Sequence, residues 1–224
     1  MLLLSGTMGD KQNIHKYEGD NADVSWDRRL CIHVGECGRA SGDLFVGGRD
    51  PWCQPSLVQI GDVTEVCERC PTGALTYERK DGGPAQTAAP KNTVVVANDG
   101  PLYVDGELLV DGAADDMVGT QFRAALCRCG KSSNKPFCDN SHQDGFRDAG
   151  AVGAQGDGAP GEGGPLKIGR APNGPLLLSG NFSIVSGSGR IAWTGTKAAL
   201  CRCGKSKNKP FCDGAHKAAG FEAE

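Results

Sequence analysis

The chain has 224 residues, 34 of them glycine and 11 cysteine, with only 7 phenylalanines, 3 tryptophans and 3 tyrosines. So few large side chains exclude one large core, and small units of this kind are usually stapled by disulfides or metals. A net charge of −3 offers no basic field for a phosphate backbone, and no apolar run reaches the ~18 residues of a membrane span. The run Leu2–Leu4 turns polar at Ser5, too early for a secretory signal, so a soluble, cytoplasmic protein is expected. In a reducing compartment, clustered cysteines are more often metal ligands or redox centres than disulfide partners.

In chain order, residues 1–12 are expected to be disordered and 13–79 to form a first block. Its clearest helix signal is Asp62–Cys67, leading into Cys70-Pro71. Residues 80–91 (KDGGPAQTAAPK) and 148–165 (DAGAVGAQGDGAPGEGGP) read as flexible linkers. They set off a second block, 92–147, and a third, 166–224. In the second, strands at Thr93–Val96 and Leu102–Val104 flank the hairpin turn Asn98-Asp99-Gly100-Pro101. In the third, Leu176–Leu178, Phe182–Val185 and Ile191–Thr194 read as three strands separated by Gly and Ser. The fold class is therefore α+β, with two late blocks that are rich in β-structure.

Those two blocks repeat each other. The run AALCRCGKSSNKPFCDNSH at 124–142 returns as AALCRCGKSKNKPFCDGAH at 198–216, and Asp99-Gly100-Pro101-Leu102 returns as Asn173-Gly174-Pro175-Leu176 at the same offset. Two copies suit a pseudo-symmetric pair fused into one chain. Each carries Cys-x-Cys-x8-Cys-x3-His: Cys127, Cys129, Cys138 and His142, then Cys201, Cys203, Cys212 and His216. Three thiolates and an imidazole make a four-ligand set. Extended backbone puts both sulfurs of Cys-x-Cys on one side, and a helical start brings Cys138 and His142 to one face. Asp139 and Asp213 are expected to cap that helix, Gly145 and Gly220 to close it, and Ser132 and Ser206 to donate to a sulfur. A structural zinc site and a thiol redox centre stand as alternatives. A close Cys pair is awkward on one zinc and natural on one iron of a two-iron cluster.

Both runs resemble the CDGSH iron–sulfur (mitoNEET-like) domain family. Its pattern is Cys-x-Cys-x2-Ser/Thr-x3-Pro-x-Cys-Asp-Gly-Ser/Ala/Thr-His. The second copy fits at every specified position; the first departs only at Asn140, where the family has Gly. Asn tolerates a left-handed backbone, so the departure is mild. The resemblance implies a 2Fe-2S cluster in each copy and two β-rich domains packed as an intramolecular pseudo-dimer.

The first block has its own pattern: Cys31-x5-Cys37, then Cys67-Glu-Arg-Cys70-Pro71. Bacterial ferredoxins use Cys-x2-Cys-x2-Cys and a distant Cys-Pro; here Val34 occupies the middle position. The stretch resembles a divergent mono-cluster ferredoxin-like domain. The resemblance implies a 3Fe-4S or 4Fe-4S cluster on Cys31, Cys37 and Cys70. Cys67 is either a fourth ligand or a buried apolar filler, Cys53 reads as a packed thiol, and His33 reads as a loop or surface histidine.

No nucleophile–base pair, P-loop or dinucleotide fingerprint is visible, so no enzyme is expected. The expected role is electron transfer, with a redox partner protein. The alternatives are cluster storage, delivery to an apo-protein acceptor or redox sensing, and a zinc-stapled interaction module. No nucleic-acid or membrane partner is expected, and a monomer with internal two-fold symmetry is. Replacing His142 or His216 by Cys should slow acid-induced cluster loss and lower the potential.

Overall fold

The computed structural model describes residues 12–153, 156, 158 and 163–223. The disordered terminus expected over residues 1–12 falls outside them apart from Gln12, as does part of the second linker. Strands dominate and helices are few and short. The first block builds a three-stranded antiparallel sheet from β1 (Ile14–Tyr17), β2 (Ala22–Asp27) and β3 (Leu75–Arg79), in that spatial order. Two helices, α1 (Glu36–Arg39) and α2 (Ile60–Arg69), lie between β2 and β3. Apolar residues recurring at Val63, Val66 and Cys67 give α2 one buried face, which packs with Val24, Phe45, Cys53 and Leu75.

The two later blocks share one seven-stranded sheet. Block two supplies β4 (Thr93–Val96), β5 (Leu102–Asp105), β6 (Leu108–Val110) and β7 (Arg123–Leu126). Block three supplies β8 (Leu166–Arg170), β9 (Leu176–Val185) and β10 (Ile191–Leu200), and ends in the short helix α3 (Ala215–Ala218). The registers repeat with the sequence. Thr93 faces Asp105 as Lys167 faces Ser179, and Leu102 faces Leu126 as Leu176 faces Leu200.

The pairings between blocks are parallel and reciprocal. β4 lies beside the far half of β9, with Thr93 opposite Ser183, and β6 lies beside β8, with Leu109 opposite Lys167. Each block therefore completes its sheet with a strand of the other. The inward side chains of both, Val94, Val96, Leu126, Ile168, Leu178 and Ile184 among them, make one buried core. Two of the three strands expected in block three merge, because Gly180 lets the chain run on extended. A Cβ there would stand 2.4 Å from the carbonyl of Pro165, so the glycine serves a close approach rather than a turn.

The first block docks on the second. Leu30 and Ala74 are buried in the shared core beside Val94 and Phe137. Arg123 of β7, itself buried, donates to the carbonyls of Cys70 at 2.7 Å, Cys67 at 3.1 Å and Leu75 at 3.2 Å. These include carbonyls at the α2 C-terminus, where backbone acceptors lack helical partners and cations are favoured. Asn134 donates to the carbonyl of Arg29, and the Arg29 guanidinium bridges Asp27 and Asp116.

Candidate metal centres

In each late block the cysteine pair directly follows a strand, β7 or β10, that pairs with one other strand, β5 or β9. Cys127 and Cys129 bring their sulfurs to 3.7 Å, and Cys201 and Cys203 to 3.8 Å. Two thiolates on one tetrahedral metal at ~2.3 Å stand ~3.8 Å apart, so each pair has the bite of a chelate. The second pair is Cys–His: the Cys138 sulfur lies 3.3 Å from Nδ1 of His142, and the Cys212 sulfur 3.4 Å from Nδ1 of His216. A charge on Cys127 adds to the burial that pushes the Cys138 thiol up to about 12, so the two pairs of the first copy share one electrostatic site. Metal binding must displace such protons.

Among the described residues, no three Cys, His, Asp or Glu side chains converge on a single metal-ion position. The donors of each copy come instead as two close pairs. Backbone amides of Lys131 and Asn140 lie 3.4 Å from the sulfurs of Cys129 and Cys138, and those of Lys205 and Gly214 do the same in the second copy. Such bonds stabilise thiolate charge.

Two expectations about the loop are corrected. Ser132 and Ser206 donate to the carbonyls of Phe137 and Phe211, at 2.6 and 2.7 Å, rather than to a sulfur; they close the loop on itself. The N-cap positions are Asn140 and Gly214, one residue after the aspartates, both left-handed at φ 78° and 85°. Asp139 and Asp213 still accept from the next free amides, Ser141 and Ala215, and from Ser133 and Lys207 across the loop. After Asn140 the turn is a single 3-10 turn over Ser141–Gln143 rather than an α-helix. The two Cys-x-Cys loops also touch. A Cβ on Gly130 would stand 2.5 Å from the Cys203 carbonyl, and one on Gly204 2.4 Å from the Cys129 carbonyl.

The first block holds a cavity of about 380 Å³. Cys31, Cys37 and Cys70 line it together with His33 and Glu36, against apolar walls that include Trp26 and Trp52. The structure thus brings the three expected cysteines to one wall. Cys67 and Cys53 do not line it: both sit in the domain core, 0% and 1% exposed, and burial pushes their thiols up, that of Cys53 to about 12. His33, read from sequence as a loop or surface residue, is exposed but also stands on the cavity wall. Its nearness to Cys31 was the only available signal.

The first-block cavity and the first copy's centre are neighbours. Ile32, covalently next to Cys31, shares one buried cluster with Ala125 and Cys138, with Tyr103 packed against it. Cys138 and Cys70 both lie near enough to Tyr103 to raise its phenol pKa, after burial.

Comparison with known proteins agrees with this layout. The family described as iron-binding zinc finger, CDGSH type, matches residues 99–143 and 173–217, and the family of divergent 4Fe-4S mono-cluster domains matches residues 17–80. The chain belongs to the CDGSH-type family, in two tandem copies behind a divergent 4Fe-4S mono-cluster domain. The uncharacterized protein YjdI of Escherichia coli K12 is 41% identical over 64 residues, 29% of this chain and 84% of that protein; the same protein of E. coli O157:H7 matches equally. These domains make this an iron–sulfur protein with iron–sulfur cofactors. No described helix is long and apolar enough to cross a membrane.

Proposed function

We propose that this tandem CDGSH protein is a cytoplasmic, non-enzymatic electron carrier. Each CDGSH copy holds a 2Fe-2S cluster on three cysteines and a histidine, and the first domain holds a 3Fe-4S or 4Fe-4S cluster on Cys31, Cys37 and Cys70. The two copies form an intramolecular pseudo-dimer, a reading supported by the reciprocal pairing of β4 with β9 and of β6 with β8. Paired donors at 3.7 and 3.3 Å support the two-iron assignment over zinc.

The observation that carries electron transfer is the layer between the first two centres: Ile32 follows Cys31 directly and shares one buried cluster with Cys138. A storage protein needs no such contact. When bound, the clusters supply one-electron chemistry. The chain's residues fix the spacing and exclude water: Ile32, Ala125 and Tyr103 fill the gap, and Arg123 locks the Cys70 carbonyl to β7. Cluster delivery is favoured by one feature, the half-buried Cys212 of the second copy, whose counterpart Cys138 is buried.

Anaerobic purification with a visible spectrum and iron and acid-labile sulfide counts tests the cofactors; bound zinc without sulfide would end this reading. Mixing the reduced protein with an oxidised ferredoxin and with an apo-ferredoxin tests the role. Electron transfer predicts oxidation with iron retained. Iron and sulfide moving to the apo-acceptor on the same timescale would replace it with cluster delivery.

A further inference from the structure

We infer that His33 is the fourth donor of the first-domain centre, an imidazole at the position that Cys31, Cys37 and Cys70 leave open. The inference rests on the iron–sulfur reading of that domain and makes its cluster 4Fe-4S rather than 3Fe-4S.

The donor inventory of the cavity wall narrows the choice. Besides the three cysteines, the ionisable side chains on it are His33 and Glu36. The two further cysteines of the domain are packed behind it in the core. Glu36 is drawn the other way: its carboxylate lies 3.9 Å from the Arg69 guanidinium, which also approaches the Glu36 carbonyl. Thr72, also on the wall, already accepts from the Ala74 amide and meets the Cys70 sulfur. The His33 ring makes no hydrogen bond or ion pair among the described residues.

The backbone is committed to presenting that ring. His33 has φ 54°, in the left-handed region that a non-glycine residue seldom adopts, and Gly35 follows at φ 91°. Ile32 is anchored against Ala125 and Cys138, so the loop is fixed on one side while His33 stands on the cavity side. Strain of this kind persists where surrounding structure over-determines it, and it clusters at functional sites. Packing gives no reason for it here, because the ring is exposed.

The chemistry is consistent. Neutral imidazole suits iron, and histidine replaces cysteine on one iron of Rieske centres with a rise in potential. Binding here forms a bond between a ring nitrogen lone pair and one iron, with no electron transferred and no proton released from neutral imidazole. A neutral donor also removes one negative charge from a site walled by Trp26 and Trp52, where burying charge is costly.

The test uses the full chain carrying His142→Cys and His216→Cys, so that neither CDGSH site presents an imidazole whether or not it loads. Pulsed EPR of the reduced first-domain cluster should then show nitrogen hyperfine coupling of imidazole strength, and His33→Ala should abolish it. His33→Ala should also lose one iron per chain, leaving a 3Fe-4S signature, and His33→Cys should restore that iron at a lower potential without nitrogen coupling. A first-domain cluster with no imidazole coupling in the parent protein overturns the inference, as does a full iron count retained in His33→Ala. A first domain free of iron and sulfide overturns the iron–sulfur reading itself, and the inference with it.

Discussion

Arg128 and Arg202 stand between the two thiols of each Cys-x-Cys pair and are 1% exposed. Arg128 donates to the carbonyls of Gly100 and Ala97 and pairs with Asp148, with its guanidinium over the Phe146 ring; Arg202 repeats this with Gly174, Ala171, Ala223 and Phe221. Each arginine ties the hairpin turn of its copy to the cysteine loop. The sequence spells Cys-Arg-Cys twice, yet it leaves this role unread, because an arginine passes for a solvated cation until its acceptors, up to 31 residues away in sequence, are known. Arg128→Met should remove the donor to the Gly100 carbonyl and the cation that pairs with Asp148, a loss of about 3 kcal/mol. Denaturant unfolding would measure it, and the loss of cluster absorbance should be confined to the first copy. Equal loss from both copies would contradict the assignment.

Asp23 offers a pH-dependent counterpart in the first domain. Burial would raise its pKa, but hydrogen bonds from Lys80, Lys16 and the Gly19 amide outweigh that and hold it at about 2. A depressed carboxylate stabilises the fold fully above its unfolded value near ~4, and the contribution fades as pH falls through about 2. Because both lysines are well exposed, the contribution is about 1 kcal/mol and salt-sensitive. Asp23→Asn should flatten the acid dependence of first-domain unfolding across that window, followed by tryptophan fluorescence. An unchanged pH profile would assign the acid sensitivity elsewhere.

At the scale of elements, the repeat was legible and the exchange between its halves was not. The 74-residue offset of the motifs, apparent in Asp99 and Asn173 or Cys127 and Cys201, reappears in the β-registers. Local signals placed the hairpin at Asn98–Pro101 and the helix around Asp62–Cys67, where turn chemistry and apolar spacing act over a few residues. The parallel pairings of β4 with β9 and of β6 with β8 join residues such as Thr93 and Ser183, which no local pattern connects. Buried Asn92 reinforces the exchange: its amide donates to the carbonyls of Gly164 and Asn181 and accepts from the Glu107 amide. A chain cut at a protease site inserted between Gly153 and Gly163 should therefore elute as one species on size exclusion and separate into two fragments only in denaturant. Fragments that part under native conditions would contradict the pseudo-dimer.

At the scale of the whole molecule the two copies are alike in candidate donors and unlike in cover. The first domain shields the first copy, where Cys138 is 2% exposed and Phe137 lies in the shared core with Leu30. In the second copy the equivalents, Cys212 and Phe211, are only half-buried, and Leu177, which replaces Tyr103, is exposed. Burial, and secondarily Arg128, also hold the His142 pKa below its ordinary value against the opposing effect of Asp139. A histidine ligand must be neutral, so a lowered pKa lets coordination survive to lower pH. Acidification should therefore empty the second copy before the first, in two phases of visible bleaching. His216→Cys should slow the fast phase and leave the slow one, and His142→Cys should do the reverse. A single phase, or a fast phase that responds to His142→Cys, would show that the docked first domain does not govern cluster retention.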